Sequence, residues 1–184
     1  MQNYIEIKLK PDAEIPINRL MNMVYSKLHK ALCDLDSNNI GISFPAYNVM
    51  LGNCLRIHGS QNALEELQKT NWIGGLIGYC RVSEVQAIPS DCKFRTVSRI
   101  QTTMSPSKLR RLVKRGTISE DEVKQYKVKM FAQGLDNPYL ELESASNGHR
   151  HRRYIQFSIL YDAPIDGTFD TFGLSQTATI PWFS

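Results

Sequence analysis

Long apolar runs and paired cysteines are missing from this chain of 184 residues. No uninterrupted apolar run approaches the roughly 20 residues that a transmembrane helix requires. The first residues lack the basic-then-apolar layout of a secretory signal. The four cysteines form no CxxC pair, which favours reduced thiols over a disulfide framework. We therefore expect a soluble, cytoplasmic protein with no membrane partner.

Motifs for metal and nucleotide chemistry are missing as well. The four histidines form no HExxH motif and no Cys–His set at zinc spacing, and no acidic pair is typical of a two-metal nuclease. His149 and His151 are close enough to share a metal, but no third ligand is evident beside them. Neither GxxxxGK[ST] nor GxGxxG occurs. If the chain is an enzyme, we expect it to need neither a metal nor a cofactor.

Positive charge is concentrated in the second half of the chain. The net charge is +4, yet residues 1–94 carry nine basic and nine acidic residues, so the whole excess lies in 95–184. Two stretches there, 105–115 and 149–153, contain several basic residues and no acid. Such clusters indicate a polyanionic partner, with nucleic acid favoured over an anionic membrane. A solvated surface without a binding role is the alternative.

Hydrophobic periodicity predicts a β-α-β-β-α-β order in residues 1–94, which is the ferredoxin-like arrangement. A smaller mixed domain is predicted for 95–184, so the fold class is α+β, with a domain boundary near residue 94. In the first domain the predicted strands cover 4–9, 40–44, 54–58 and 79–88, and the predicted helices begin at Pro16 and after Ser60. In the second domain the predicted strands cover 94–102, 139–143, 154–161 and 168–172, with a last apolar segment at 180–183.

Two helices are predicted in the second domain. Ser105 and Pro106 favour the start of a helix that ends near Arg115. Around its axis, apolar residues fall within an arc of roughly 100° and five cations share an arc of roughly 160°. The apolar residues are Leu109, Leu112 and Val113, and the cations are Lys108, Arg110, Arg111, Lys114 and Arg115. This arrangement predicts a nucleic-acid-binding face, with a solubilising face as the alternative. A capping box at Ser119 begins the second helix, which we expect to end near Gly134.

Two further features could carry chemistry. His29 lies about 120° from the centre of the apolar stripe of the first predicted helix, so we expect it outside the core. Histidine titrates near neutral pH, which suits general acid–base catalysis. The segment SASNG at 144–148 precedes the basic stretch and could cradle a phosphate, although the same composition forms an ordinary turn.

Eight short segments occur together along nearly the whole chain. They are KLHKAL at 27–32, IGISFP at 40–45, LRIH at 55–58, VSRIQ at 97–101, the basic helix at 106–115, SASNG at 144–148, FGLS at 172–175 and IPWF at 180–183. In this order and spacing they resemble the CRISPR-associated endoribonuclease of the type I-F subtype, which cuts precursor CRISPR RNA at each repeat hairpin.

This resemblance implies the site residues. His29 matches the catalytic histidine, which deprotonates the ribose 2′-hydroxyl. Ser144 matches the serine that positions this hydroxyl, and Ser146 matches a second serine near the scissile phosphate. Phe172 stands where the family commonly has a tyrosine, and it can pack against His29 but cannot donate a hydrogen bond.

The resemblance also implies the RNA contacts. Arg99 and Gln101 match residues that read bases in the lower stem, and His151 matches a phenylalanine that stacks under a base. The helix residues that match arginines along the major groove of the stem are Arg111, Lys114 and Arg115, with Lys108 and Arg110 on the same basic face. Lys114 replaces an arginine, which keeps the charge but loses a bidentate donor.

The implied function is a metal-independent endoribonuclease, specific for the sequence and structure of CRISPR repeat hairpins. Cleavage by the 2′-hydroxyl leaves a 2′,3′-cyclic phosphate and a 5′-hydroxyl, and the protein stays on the mature guide RNA with the other subunits of the surveillance complex. Phe172 and Lys114 motivate an alternative, a catalytically weak or inactive subunit that binds the hairpin. A basic adaptor for a protein or membrane is a third possibility.

Overall fold

Antiparallel strands and four α-helices make up the part of the chain that the computed structural model describes, namely residues 1–11, 13–101, 106–132, 135–143 and 148–183. In chain order the elements are β1 (Asn3–Leu9), α1 (Ile17–Asp34), β2 (Gly41–Ser43), β3 (Cys54–Gly59), α2 (Gln61–Lys69), a 3₁₀ helix (Gly74–Tyr79), β4 (Cys80–Val82), β5 (Gln86–Ala87), β6 (Lys93–Arg95), β7 (Val97–Ile100), α3 (Pro106–Lys114), α4 (Glu120–Ala132), β8 (Tyr139–Glu143), β9 (Arg150–Phe157) and β10 (Ile180–Trp182). The fold class is therefore mixed α+β, as predicted.

The first sheet is built around β1. Its strand order is β2-β3-β1-β4, β5 also pairs with β1, and all of these pairs are antiparallel. Alternation in β1 buries Ile5, Ile7 and Leu9, as the period of two predicts. The single strand predicted at 79–88 is wrong: the Glu6 N–H donates to the Ser83 hydroxyl at 2.9 Å instead of to a backbone carbonyl, which separates β4 from β5.

Helix α1 buries one stripe of its surface. The buried residues follow helical spacing and are Leu20, Met21, Val24, Tyr25, Leu28, Ala31 and Leu32. They belong to one hydrophobic cluster that also contains buried residues of the first sheet. The helix contacts β8 as well, where the Glu141 N–H donates to the Asn22 side chain at 3.1 Å. Helix α1 thus lies between the first sheet and a second one.

The second sheet has the strand order β7-β9-β8, with every pair antiparallel. Strand β9 begins at Arg150 and ends at Phe157, so the predicted strand at 154–161 is displaced towards the C-terminus. Cross-strand pairing explains the earlier start, because Arg152 lies opposite Glu141 and forms an ion pair with it at 3.2 Å. The strand predicted at 94–102 is interrupted at Thr96, whose N–H donates to the Ser158 hydroxyl at 2.9 Å.

The C-terminal segment returns to the first sheet. The Ile42 N–H donates to the Gly173 carbonyl at 3.1 Å, and the Phe169 N–H donates to the Asn38 carbonyl at 2.9 Å. The strand predicted at 168–172 is wrong, since these residues lead into a turn in which the Asp170 carboxylate accepts hydrogen bonds from the backbone. An aspartate that bonds its own backbone competes with sheet pairing.

Helices α3 and α4 contact each other and carry few buried residues. In α3 only Leu109 is buried, whereas Val113 is 52% exposed, so the predicted apolar stripe is narrower than expected. The capping box at Ser119 is confirmed: its hydroxyl accepts the Glu122 N–H at 3.3 Å, and the Glu122 carboxylate accepts the Ser119 N–H at 2.7 Å. In the described ranges no helix has the length and apolar character to cross a membrane.

Candidate active site

His29 is carried by the middle of α1, at the edge of its buried stripe. Its neighbours Leu28 and Leu32 are buried, while the His29 side chain is half-buried. The histidine therefore has a fixed backbone in a packed helix and a ring that reaches the surface. A site residue on such an element is held more rigidly than one on a loop.

One hydrogen bond determines which nitrogen of His29 can act as a base. The ring Nδ1 lies 2.9 Å from the carbonyl oxygen of Thr171. A carbonyl can only accept, so Nδ1 carries the hydrogen and donates it. In the neutral ring the other nitrogen, Nε2, is then the one that can take up a proton. A base oriented by a third group is the arrangement that activates hydroxyl nucleophiles.

Phe172 stacks on the His29 ring. The two ring centroids are 3.4 Å apart and the planes differ by 13°. The hydroxyl of Tyr25 donates to the Phe172 carbonyl at 2.9 Å. Burial raises the pKa of Tyr25 far above its usual range, so its hydroxyl keeps the proton that this hydrogen bond needs.

The turn that carries Phe172 is held by its own hydrogen bonds. The Asp170 carboxylate accepts from the N–H groups of Phe172 and Leu174, both at 2.9 Å. Gly173 has a φ of +69°, and a Cβ there would lie 2.8 Å from the Ile42 side chain. A glycine is needed at this position for both reasons. The turn is thus fixed against β2 and presents Thr171 and Phe172 to His29.

A buried arginine completes this part of the site. Arg153 is 6% exposed, and its Cζ lies 3.5 Å from the centroid of the Phe172 ring. Burial lowers the pKa of Arg153, and the nearby positive charge of Arg99 acts in the same direction. The sequence places Arg153 in the basic stretch 149–153 but does not predict it in the site. The alternation of side chains along β9 could have indicated that Arg153 is buried, because it places Arg153 on the opposite face from the exposed Arg152.

Of the predicted base-reading residues, Arg99 lies on β7 and Gln101 follows its last residue. Arg99 is half-buried and Gln101 is exposed, and with its oxygen turned towards Arg99 the Gln101 amide accepts from the guanidinium. Both line an open cleft of about 560 Å³ that also includes Asp170 and Gln176. Since Asp170 belongs to the turn beside His29, the cleft adjoins the turn that orients the candidate base.

Other predicted RNA contacts are exposed. All five cations of the basic helix face are at the surface: Lys108, Arg110, Arg111, Lys114 and Arg115. His151 is exposed on β9, on the same face as Arg153, whereas Arg152 points to the other face, over Tyr139. Ser144 and Ser146 lie outside the described residues.

The assembled geometry suits proton transfer beside an anion. The ring of His29 is half-buried with Nε2 available as an acceptor, and the cationic Arg99 and Arg153 belong to the adjoining sheet. In the described ranges no carboxylate forms an ion pair with His29. Over the same ranges no group of three His, Cys, Asp or Glu residues could hold a metal ion. The metal independence of the reaction stays a prediction.

Comparisons with known proteins cover the whole chain. The family model for the CRISPR-associated protein Cas_Csy4 matches residues 4–183. A curated protein of Escherichia coli (strain UTI89 / UPEC), named CRISPR-associated endonuclease Cas6/Csy4, is 39% identical over 184 residues, and the alignment spans 100% of both chains. A protein of Pseudomonas aeruginosa (strain UCBPP-PA14) with the same name is 36% identical over 187 residues, again across 100% of both chains.

Proposed function

The chain belongs to the Csy4 family of CRISPR-associated proteins, and from this we propose that it is an endoribonuclease that cleaves precursor CRISPR RNA at the repeat hairpin. The relatives' name supports the nuclease activity and the CRISPR context. The exposed cations of α3 support a polyanionic partner. The specific substrate is a short RNA hairpin, which the protein recognises by both sequence and shape.

The observation that carries this proposal is the hydrogen bond from His29 Nδ1 to the Thr171 carbonyl. It leaves Nε2 as the proton acceptor, on a half-buried ring beside a cationic sheet. RNA has a 2′-hydroxyl next to each phosphate, and removal of its proton creates an internal nucleophile. The bond from His29 therefore supports base catalysis that RNA allows and DNA does not.

The reaction proceeds in one displacement. His29 Nε2 accepts the proton of the 2′-hydroxyl, the 2′-oxygen forms a bond to the adjacent phosphorus, and the bond to the 5′-oxygen breaks. The leaving 5′-oxygen takes up a proton, so the products are a 2′,3′-cyclic phosphate and a 5′-hydroxyl. Nucleophile and phosphorus belong to one nucleotide, so positioning them in line supplies much of the rate. The step requires no metal or cofactor.

The remaining residues position the RNA. Ser144 holds the 2′-hydroxyl and Ser146 lies near the scissile phosphate. Arg99 and Gln101 read bases of the lower stem, and His151 stacks under a base. Helix α3 contacts the phosphates of the stem, and cations near the scissile bond stabilise the charge that develops on phosphorus.

The parts of the chain divide these tasks. Residues 1–94 form a ferredoxin-like domain that carries His29, and 95–184 form the hairpin-binding domain. The strand order β2-β3-β1-β4 with α1 and α2 between its strands supports the first assignment. The protein then stays on the mature guide RNA with the other subunits of the surveillance complex, in the cytoplasm.

A single-turnover cleavage assay in EDTA tests the function. It compares the wild type, His29→Ala and a hairpin with one 2′-deoxyribose just upstream of the cut. We expect the wild type to cut the normal hairpin, and both changes to abolish cutting. Cutting that persists on the deoxy substrate would contradict the 2′-hydroxyl mechanism.

Phe172 favours a second candidate function, that of a hairpin-binding subunit with little or no cleavage activity. A phenylalanine on the His29 ring can neither donate a hydrogen bond nor supply a proton. The same assay separates the two functions, since tight hairpin binding by the wild type with no product would support the inactive subunit.

A further inference from the structure

Arg153 is a buried cation whose neighbours in the sheet are apolar. It lies on the face of β9 that carries the fully buried Ile155, and its cross-strand partner on β8 is the fully buried Leu140. In the described part of the chain no carboxylate forms an ion pair with Arg153, and its Nε has no hydrogen-bond partner. Burying a guanidinium with so few polar partners costs free energy. Core stability therefore does not explain why an arginine occupies this buried position.

The Phe172 ring separates the Arg153 guanidinium from the His29 imidazole. Arg153 Cζ lies 3.5 Å from the ring centroid, and the imidazole centroid lies 3.4 Å from it. Two groups at this distance cannot occupy the space above one face, so they stack on opposite faces. The attraction between a cation and an aromatic face is strongest where water is excluded. The ring is consequently clamped between Arg153 and His29.

The clamped Phe172 ring is connected through the backbone to the hydrogen bond that orients His29. Thr171, whose carbonyl accepts from Nδ1, is joined to Phe172 by a peptide bond. On the C-terminal side of Phe172, the Tyr25 hydroxyl donates a hydrogen bond to the Phe172 carbonyl at 2.9 Å. The ring and the two carbonyls therefore belong to one unit, in which Asp170 also holds the Phe172 N–H, so a shift of the ring is transmitted to the Thr171 carbonyl.

We propose that Arg153 is a positioning residue for RNA cleavage, acting on His29 through its stack on Phe172. It keeps the Thr171 carbonyl against Nδ1 and so keeps Nε2 aimed at the substrate. This inference rests on the proposed function, because it concerns the base of that reaction. Arg153 needs no contact with RNA for this role. An arginine that served only the fold would affect stability without changing the cleavage rate of bound RNA.

The test compares Arg153→Met, Arg153→Lys and the control Arg95→Met in the full chain. Methionine keeps a long unbranched side chain without charge, and lysine restores the cation. Arg95 is likewise an arginine stacked on aromatic rings, those of Tyr47, Phe157 and Trp182, but it contacts neither His29 nor Phe172. For each protein we would measure hairpin affinity, the single-turnover rate at saturating hairpin, and the His29 tautomer by ¹⁵N NMR.

We expect Arg153→Met to slow cleavage about 10- to 100-fold, because small misplacements of catalytic groups have effects of this size. Hairpin affinity should stay within about twofold of the wild type, since the Arg153 side chain is only 6% exposed and has little surface to offer a ligand. The NMR signal should change from the Nδ1–H form to a mixture, lysine should restore part of the rate, and Arg95→Met should keep both rate and tautomer. A wild-type rate in Arg153→Met, or a parallel loss of affinity with an unchanged tautomer, would overturn the proposal.

A double variant tests whether Arg153 acts through Phe172. If it does, Phe172→Leu should slow cleavage to a similar extent, and the double variant with Arg153→Met should be about as slow as either single variant. A double variant whose rate falls by the product of the two single effects would overturn the proposal. If Arg153→Met does not fold, the His29 tautomer in Phe172→Leu alone still tests the proposal. A wild type that binds but never cuts would refute the proposed function instead, and the tautomer comparison would still report on the stack.

Discussion

Burial and hydrogen-bond partners separate two kinds of histidine in this molecule. His29 donates from Nδ1 to a backbone carbonyl and remains half-buried, which fits the base proposed above. His58 of β3 is fully buried, with Nε2 at 2.7 Å from the Ser43 hydroxyl and no partner for Nδ1. Burial, assisted by the positive charge of Arg56, lowers the pKa of His58 to about 3. His58 therefore stays neutral in the folded protein.

His58 should make stability depend on acid pH. Below the ordinary pKa of 6.5 the unfolded chain binds a proton that the folded chain does not bind until pH falls to about 3. Stability is therefore lost as pH falls through this window, by up to about 1.4 kcal/mol per pH unit from this group. We expect His58→Gln to flatten the dependence of unfolding free energy on pH between 6.5 and 4, measured by urea titration. Equal slopes for the wild type and His58→Gln would contradict the assignment.

At the scale of elements, α3 is held by little apolar contact and presents mainly charge. Leu109 is its buried residue, and Gly116, with a φ of +64°, follows its C-terminal end. A helix with this balance gains little stability from its own packing, whereas a polyanion would neutralise its exposed cations. The arrangement supports a role for α3 in binding more than in the core.

Arg115→Ala tests the basic helix face at its C-terminal end, where Arg115 directly follows α3. Because Arg115 is exposed, we expect a loss of hairpin affinity below about 1.5 kcal/mol, less than a desolvated charged hydrogen bond contributes. The slope of log affinity against log salt should fall by about one, since one phosphate contact disappears. Binding titrations at several salt concentrations measure both. Lys69→Ala, which removes an exposed cation of α2, serves as the control, and an unchanged slope in Arg115→Ala would contradict the proposed face.

At the scale of the whole molecule, the site depends on the return of the C-terminal segment to the first sheet. His29 and Thr171 are 142 positions apart in the chain, yet they share a hydrogen bond. Phe169, Leu174 and Ile180 belong to the same buried cluster as the core residues of β1 and α1. The orientation of the candidate base is thus coupled to the packing of the last residues of the chain. The predicted domain boundary near residue 94 stays a prediction.

Gly41→Ala tests that packing. A Cβ at Gly41 would lie 2.6 Å from Ile180 Cγ2 and 2.8 Å from Phe169 Cε1, so the returning segment would have to move. We expect a loss of about 1–3 kcal/mol of unfolding free energy in urea, as is usual for overpacking. Gly75→Ala is the matched control, because a Cβ there meets nothing within 4 Å. A Gly41→Ala variant as stable as the control would show that the close approach is unimportant.

Local patterns were sufficient for several elements and for the family. The alternation in β1, the stripe of α1, the capping box at Ser119 and the strand at 139–143 depend on neighbouring residues, so periodicity predicted them correctly. The family resemblance carried by eight short segments is likewise confirmed by the match over residues 4–183. His29 was selected because helical geometry alone places it off the apolar stripe.

The prediction of a strand at 168–172 was wrong because tertiary contacts decide whether a segment pairs with another strand. Here the Asp170 carboxylate accepts hydrogen bonds from the N–H groups of Phe172 and Leu174 instead. The surroundings of His29 were predicted only in part. The family resemblance placed Phe172 beside His29, whereas the contacts of Thr171 and Arg153 were not predicted, because packing between residues far apart in the chain creates them. The sequence by itself determined the family, the helix that carries His29 and the basic helix face. The tertiary structure decided which nitrogen of His29 is available as an acceptor and which cation is buried behind the Phe172 ring. Both depend on contacts between residues far apart in the chain.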